Sequence, residues 1–136
     1  MTARTMRDAL KKVTKALPNG AAAVTSDAID LENTSRADEV RDIELLLSAP
    51  ALNVTEQPNS KMMIYDIIYS ANSDLSSPTT YMAAAITQTG AGGVGAAAAT
   101  KRIKLPSDAA RYWGAKATGS AAGNATTASM TLELLF

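Results

Sequence analysis

The chain has 136 residues, with 13 basic and 13 acidic side chains and neither histidine nor cysteine. That length suits one domain of ordinary size. The two missing residue types exclude Ser-His and Cys-His nucleophiles, thiolate or imidazole metal sites, cysteine-linked haem and disulfides, leaving carboxylate, lysine, tyrosine and hydroxyl chemistry with an oxygen-ligated cation as an option.

Apolar residues make up 46% of the chain, but alanine alone contributes 27 of them, and Leu, Ile, Val and Phe together number 25. A core this lean gains stability by burying surface against partners, so an oligomer or a subunit seated on a larger particle is expected. Zero net charge argues against disorder. No apolar run reaches membrane length, and residues 1–20 lack the apolar segment and cleavage site of a signal peptide. Synthesis in the cytoplasm without a membrane partner is therefore expected.

In chain order, residues 1–20 carry Arg4, Arg7, Lys11, Lys12 and Lys15 against Asp8. Met6, Leu10, Val13 and Leu17 recur at spacings of four, three and four, which predicts a short amphipathic helix ended by Pro18-Asn19-Gly20. Such a helix is marginal alone and needs a surface to lie on. It either docks on a partner through its apolar stripe and basic edge or caps its own domain. The candidate contact residues on the first reading are Arg4, Met6, Arg7, Leu10, Lys11, Val13 and Leu17. Residues 21–60 then reverse the charge, with eight acids against Arg36 and Arg41.

From residue 21 the periodicity becomes two, punctuated by turn residues. Val24 to Leu31 predicts a weak strand, and Val40 to Ser48 a half-buried one with Ile43, Leu45 and Leu47 inward. Lys61 to Ser70 is apolar on both faces, as a central strand requires. Lighter strands are expected over Thr80 to Thr87, Thr100 to Leu105 and Arg111 to Thr118, and a closing one over Thr126 to Phe136. About seven or eight strands with short loops predict an antiparallel β-sandwich or jelly roll over residues 21–136, preceded by the arm at 1–20. Its expected core is Ile43, Leu45, Leu47, Ile64, Ile67, Ile103, Trp113, Leu132 and Leu134.

Three features invite a chemical reading. Gly90-Ala91-Gly92-Gly93-Val94-Gly95 fits a dinucleotide-binding pattern, but the four alanines after it leave no room for the crossover helix such a site needs. A glycine-rich loop between antiparallel strands is expected instead. The acids Asp27, Asp30, Glu32, Asp38, Glu39, Asp42 and Glu44 lack both the ligand order of a calcium loop and the aromatic platforms of a glycosidase. They read as a solvated or subunit-facing edge. Lys101, Arg102, Lys104, Arg111 and Lys116 form a basic group on strands expected to be adjacent, too modest in a neutral chain for nucleic acid and suited to salt bridges with another subunit. No catalytic, metal or cofactor residues are assigned.

Several segments together resemble one family. They are Ser26-Asp27-Ala28-Ile29-Asp30-Leu31, the loop Asn72-Ser73-Asp74-Leu75-Ser76-Ser77-Pro78-Thr79, and Leu105-Pro106-Ser107-Asp108-Ala109-Ala110-Arg111-Tyr112-Trp113-Gly114, followed by the Gly119 to Gly123 turn and the last strand. In order and spacing, residues 21–136 resemble the capsid cement, or decoration, proteins of tailed bacteriophages, of the Bordetella-phage type. The basic segment at 1–17 departs from the shorter starts of that family. The resemblance implies a jelly-roll or sandwich fold, homotrimers, binding to the major capsid protein on the outer surface of the virion, and no enzyme activity. A carbohydrate- or receptor-binding module using the loops at 72–78 and 88–99, or a head-completion or tail-connector subunit, is the alternative.

Overall fold

Strands form wherever two-residue alternation meets a neighbour able to complete the hydrogen-bond ladder. In the computed structural model, which describes residues 7–31, 43–106 and 109–135, nine strands are present. They are β1 (Arg7–Ala16), β2 (Ala23–Thr25), β3 (Ile29–Asp30), β4 (Glu44–Ala49), β5 (Met62–Ser70), β6 (Thr79–Thr89), β7 (Ala99–Lys104), β8 (Tyr112–Thr118) and β9 (Ser129–Leu135). All pairings between them are antiparallel. One sheet runs β1-β9-β4-β7, the other β2-β8-β5-β6, with β3 also on β8. Only the β2–β3 step and the β5–β6 hairpin stay within one sheet; every other connection crosses to the opposite sheet.

The inward faces of both sheets supply one shared core. Leu45 and Leu47 from β4, Met63, Tyr65 and Ile67 from β5, Ile103 from β7, Trp113, Ala115 and Ala117 from β8, and Met130, Leu132 and Leu134 from β9 are all buried in it. Of the expected core, Ile43 and Ile64 alone are only half-buried. Alanine serves the core directly on β8, where its small side chain lets Trp113 fill the remaining width.

β5 is central, and one end of its outer face is covered as well. The loop at 72–78 folds back over it, placing buried Leu75 against Gly114, the residue paired with Ile68. A Cβ on Gly114 would collide with the Leu75 Cδ1. Ile68 is thus buried outside the main core, while on the same face Ile64 is half-buried and Met62 exposed.

Two expectations need correction. The helix predicted from Met6, Leu10, Val13 and Leu17 is a strand: residues 7–16 pair with β9, with Val13 opposite Leu132 and Lys15 opposite Met130. A register shift between Arg7 and Lys12 inserts extra residues on the β1 side. That irregularity is why the odd spacing from Leu10 to Val13 mimics a helical repeat. A three-turn helix gains little alone, whereas the open edge of β9 offers a ladder of backbone hydrogen bonds, so tertiary pairing overrides the local pattern. The second correction concerns Val24 to Leu31, which divides into β2 and β3. Ser26 interrupts the ladder by accepting from the Ala115 amide at 3.0 Å.

Candidate functional site

The described part of the predicted basic arm belongs to the sandwich. Arg4 and Met6 lie outside the described residues, and Arg7 and Leu10 are placed within β1. The Lys11 ammonium donates to the Asp30 carbonyl at 2.9 Å, tying β1 to β3 across the sandwich edge. Val13 packs partly buried on the core and Leu17 is 1% exposed within it. Both apolar residues therefore serve this domain's interior.

The basic group is likewise dispersed. Lys101, Arg102 and Lys104 stand on β7, an edge of one sheet, while Lys116 belongs to β8 of the other. The strands expected to be adjacent lie on opposite layers because the chain crosses between sheets from β7 to β8. Two of these cations meet acids of their own chain: Arg102 Nε donates to Glu44 at 2.8 Å, and Arg111 grips Asp30 through two bonds of 2.8 and 3.0 Å. Arg111 also lies 5.1 Å above the Tyr112 ring. These acidic and basic segments thus pair within one chain. Among the described residues, no cluster of three carboxylates is placed to hold a metal ion, and Glu32 to Asp42 lie outside them.

The sandwich has two chemically different ends. At one end, Tyr69, Tyr81 and Trp113 form an aromatic cluster with ring centroids 5.1 to 6.5 Å apart. Together with Pro106, Ala109 and Ala110 they line a cavity of about 190 Å³. The Trp113 indole N–H is already spent on the Ala110 carbonyl at 2.7 Å, and the Tyr81 hydroxyl donates to the Lys104 carbonyl at 3.3 Å. Beside it, residues 71–74, Ser76 and Tyr112 border an open polar cleft of about 440 Å³. Hydrogen bonds from Ser76 hold the Asp74 carboxyl below the usual carboxylate range. Among the described residues, Asp74 is the one carboxylate lining that cleft.

At the other end, the connections 17–22, 50–61, 90–98 and 119–128 are fastened to one another. Leu52 and Ala96 exchange backbone bonds of 2.9 and 2.8 Å, and the Gly90 and Ser60 amides tie the 58–61 turn to the glycine loop. Gly20 donates to the Gly123 carbonyl, Asn124 to the Thr55 carbonyl, and the Gly93 amide to the Asn59 side chain. Gly95, at a φ of 80°, sits so close to the Leu52 carbonyl that no side chain fits there. The glycine-rich loop thus passes from one sheet to the other, with no helix after it, and its role is that of a close-packed crossing. Val94 at its tip is 78% exposed, and Val54 on the neighbouring turn 43%.

Sequence reasoning did not find the buried polar relay behind this end. The Tyr65 hydroxyl donates to Gln88 Oε1 at 2.6 Å, and Gln88 Nε2 donates to the Pro50 and Ala97 carbonyls at 2.7 and 2.9 Å. Burial pushes the Tyr65 phenol well above its ordinary range. The available signal was a glutamine at a core-facing position of a strand. No family model matches the chain, and no curated protein matches it.

Proposed function

We propose that this chain is a capsid cement protein: a non-enzymatic structural subunit that binds the outer surface of a tailed-phage shell built from major capsid protein and stabilises it, as a homotrimer. The finer fold assignment belongs to the same reading. Sheets ordered β1-β9-β4-β7 and β2-β8-β5-β6, with the chain crossing repeatedly between them, support a jelly roll.

The observation that carries the proposal is where the three resembling segments meet. Gly114 lies beneath Leu75 of the 72–79 loop and beside the Ser26 hydroxyl, while Asp30 of the first segment grips Arg111 of the third. Segments more than twenty residues apart in sequence thus build one structural unit, which supports reading them as a set. Cementing requires only that the protein bind assembled lattice better than free subunits, and many copies of a modest contact then resist internal pressure together.

The test is co-sedimentation of the purified protein with mature capsids and with unassembled capsid protein. Retention on capsids alone supports the proposal, and equal binding to both overturns it. A second reading rests on the Tyr69, Tyr81 and Trp113 cavity, which has the aromatic lining that sugar rings use. Saturable binding on a glycan array without capsid retention favours that module. A connector subunit differs by its copy number, tens or fewer per virion against hundreds.

A further inference from the structure

Among the described strands, β1 and β7 border one sheet, and β2, β3 and β6 border the other. A bordering strand presents unpaired backbone groups that template a further strand unless something blunts them. β1 carries a register shift, β6 carries two together with Ala84 in the left-handed region, and β2 and β3 are only three and two residues long. β7 keeps six consecutive pairs with β4, from Ala99 opposite Ala49 to Lys104 opposite Glu44, with no irregularity. The Leu105 amide donates to the Ile43 carbonyl. By the alternation of an antiparallel ladder, the backbone groups of Ile103 and Lys101 then also face β4, and those of Thr100, Arg102 and Lys104 face outward. The Lys104 carbonyl in that outward set takes the Tyr81 hydroxyl, while Thr100 and Arg102 stand on an exposed stretch of the strand.

The remaining guard on this edge is charge. Arg102 is paired with Glu44, whereas among the described residues Lys101 and Lys104 meet no carboxylate. Three cations within four residues repel a second copy of β7 and the basic β1 alike, and attract a strand of opposite sign. We infer that β7 is a docking edge for an extended acidic segment of another protein, which adds a strand to the β1-β9-β4-β7 sheet. Lys101 and Lys104 are three residues apart and so lie on opposite faces of that sheet, Lys101 on the face of Leu47 and Lys104 on that of Glu44. A partner strand meets both only with carboxylates three residues apart, one on each face. A nucleic-acid strand supplies the charge but no amides and carbonyls in register with Thr100 and Arg102. The inference stands on β7 alone and is independent of the cement reading.

The probe is an eight-residue peptide of alternating threonine and valine with glutamates at its third and sixth positions, titrated into the full-length protein and followed by nuclear magnetic resonance. Binding is expected to slow hydrogen exchange at the Thr100 and Arg102 amides and to leave those of Lys101 and Ile103, which already face β4, unchanged. Affinity is expected to fall about tenfold between 0.05 and 0.5 M NaCl. The same peptide with lysines in place of the glutamates is expected to bind about tenfold more weakly or less. The double variant Lys101→Glu, Lys104→Glu is expected to keep its thermal transition and reverse that preference, because its edge retains the backbone template and exchanges only the charge. No saturable binding of the glutamate peptide below about 1 mM overturns the inference. Equal binding of the two peptides, an unchanged preference in the double variant, or protection at a different edge overturns it too. So does an eight-nucleotide thymidine oligomer that binds more tightly than the glutamate peptide and leaves the Arg102 amide unprotected, which would assign the cations to a polyanion.

Discussion

At the residue scale, the buried Tyr65–Gln88 relay has consequences for stability and for pH. Every polar atom in it is used: the phenol donates to the amide oxygen, and the amide nitrogen donates to two carbonyls. Tyr65→Phe leaves the Gln88 oxygen buried without its donor and is expected to cost about 1–3 kcal/mol in urea denaturation. Burial raises the folded-state pKa of Tyr65 above the unfolded value near 10. Below that pH both states hold the proton and no dependence arises. Above it the unfolded chain releases the proton and the folded chain keeps it, so stability falls as pH rises, by up to about 1.4 kcal/mol per unit. The slope is expected to be shallower in Tyr65→Phe. Across the same sheet, Ala84 holds a φ of 50°, in the left-handed region, with its amide bound to the Asp66 carboxylate at 2.7 Å. The β5–β6 register shifts between Tyr65 and Ile67, so Ala84 sits on a bulge. Ala84→Gly removes the Cβ strain at some cost in chain entropy and is expected to stabilise the protein by about 0.5–1 kcal/mol in the same assay.

At the scale of elements, the Leu75 plug and β1 show what could and could not be read from sequence. Gly114→Ala drives a methyl into Leu75 and toward the Ser26 oxygen, so a loss of about 1–3 kcal/mol is expected by thermal unfolding. Sequence showed that β5 is apolar on both faces but not what covers the outer one, because a single leucine in a polar loop has no periodicity to reveal it. The central strands were legible for a simple reason: Leu132 and Leu134 alternate with Thr131 and Glu133, and Leu45 and Leu47 are flanked by Glu44 and Ser48, over uninterrupted ladders. β1 was not, since a register irregularity replaces period two with spacings of three and four. Two of the candidate contacts take another place with it. Leu17 and Val13 look like a docking stripe on a helix, whereas Val13 packs partly buried on the core from β1 and Leu17 is buried just after that strand. Because β1 covers one side of β9, deletion of residues 1–16 is expected to abolish the cooperative thermal transition seen by circular dichroism. A dispensable arm would leave it intact.

At the scale of the whole molecule, the topology sets the folding speed. β1 and β9 come from opposite ends of the sequence and lie side by side, and β9 also pairs with β4. β8 joins β2 and β3 to β5, again across long stretches of chain. The β5–β6 hairpin is the one local pairing between substantial strands in the described residues. Each other pairing must close a long loop before its hydrogen bonds and apolar contacts compensate the lost chain entropy. Surface ion pairs do little to offset that cost: Asp30–Arg111 and Glu44–Arg102 are partly exposed and each worth at most about 1 kcal/mol. Refolding by stopped-flow dilution from urea, followed by Trp113 fluorescence, is therefore expected in the range of about milliseconds to seconds. Leu132→Ala should test which pairings form early. It removes a buried side chain from the strand that joins β1 to β4, costing about 2–5 kcal/mol at equilibrium. If closure of β9 between its two neighbours completes the fold late, that loss appears chiefly as faster unfolding, with the refolding rate little changed. A refolding rate slowed in proportion to the full loss would instead place β9 in the nucleus, with the two ends of the chain meeting early.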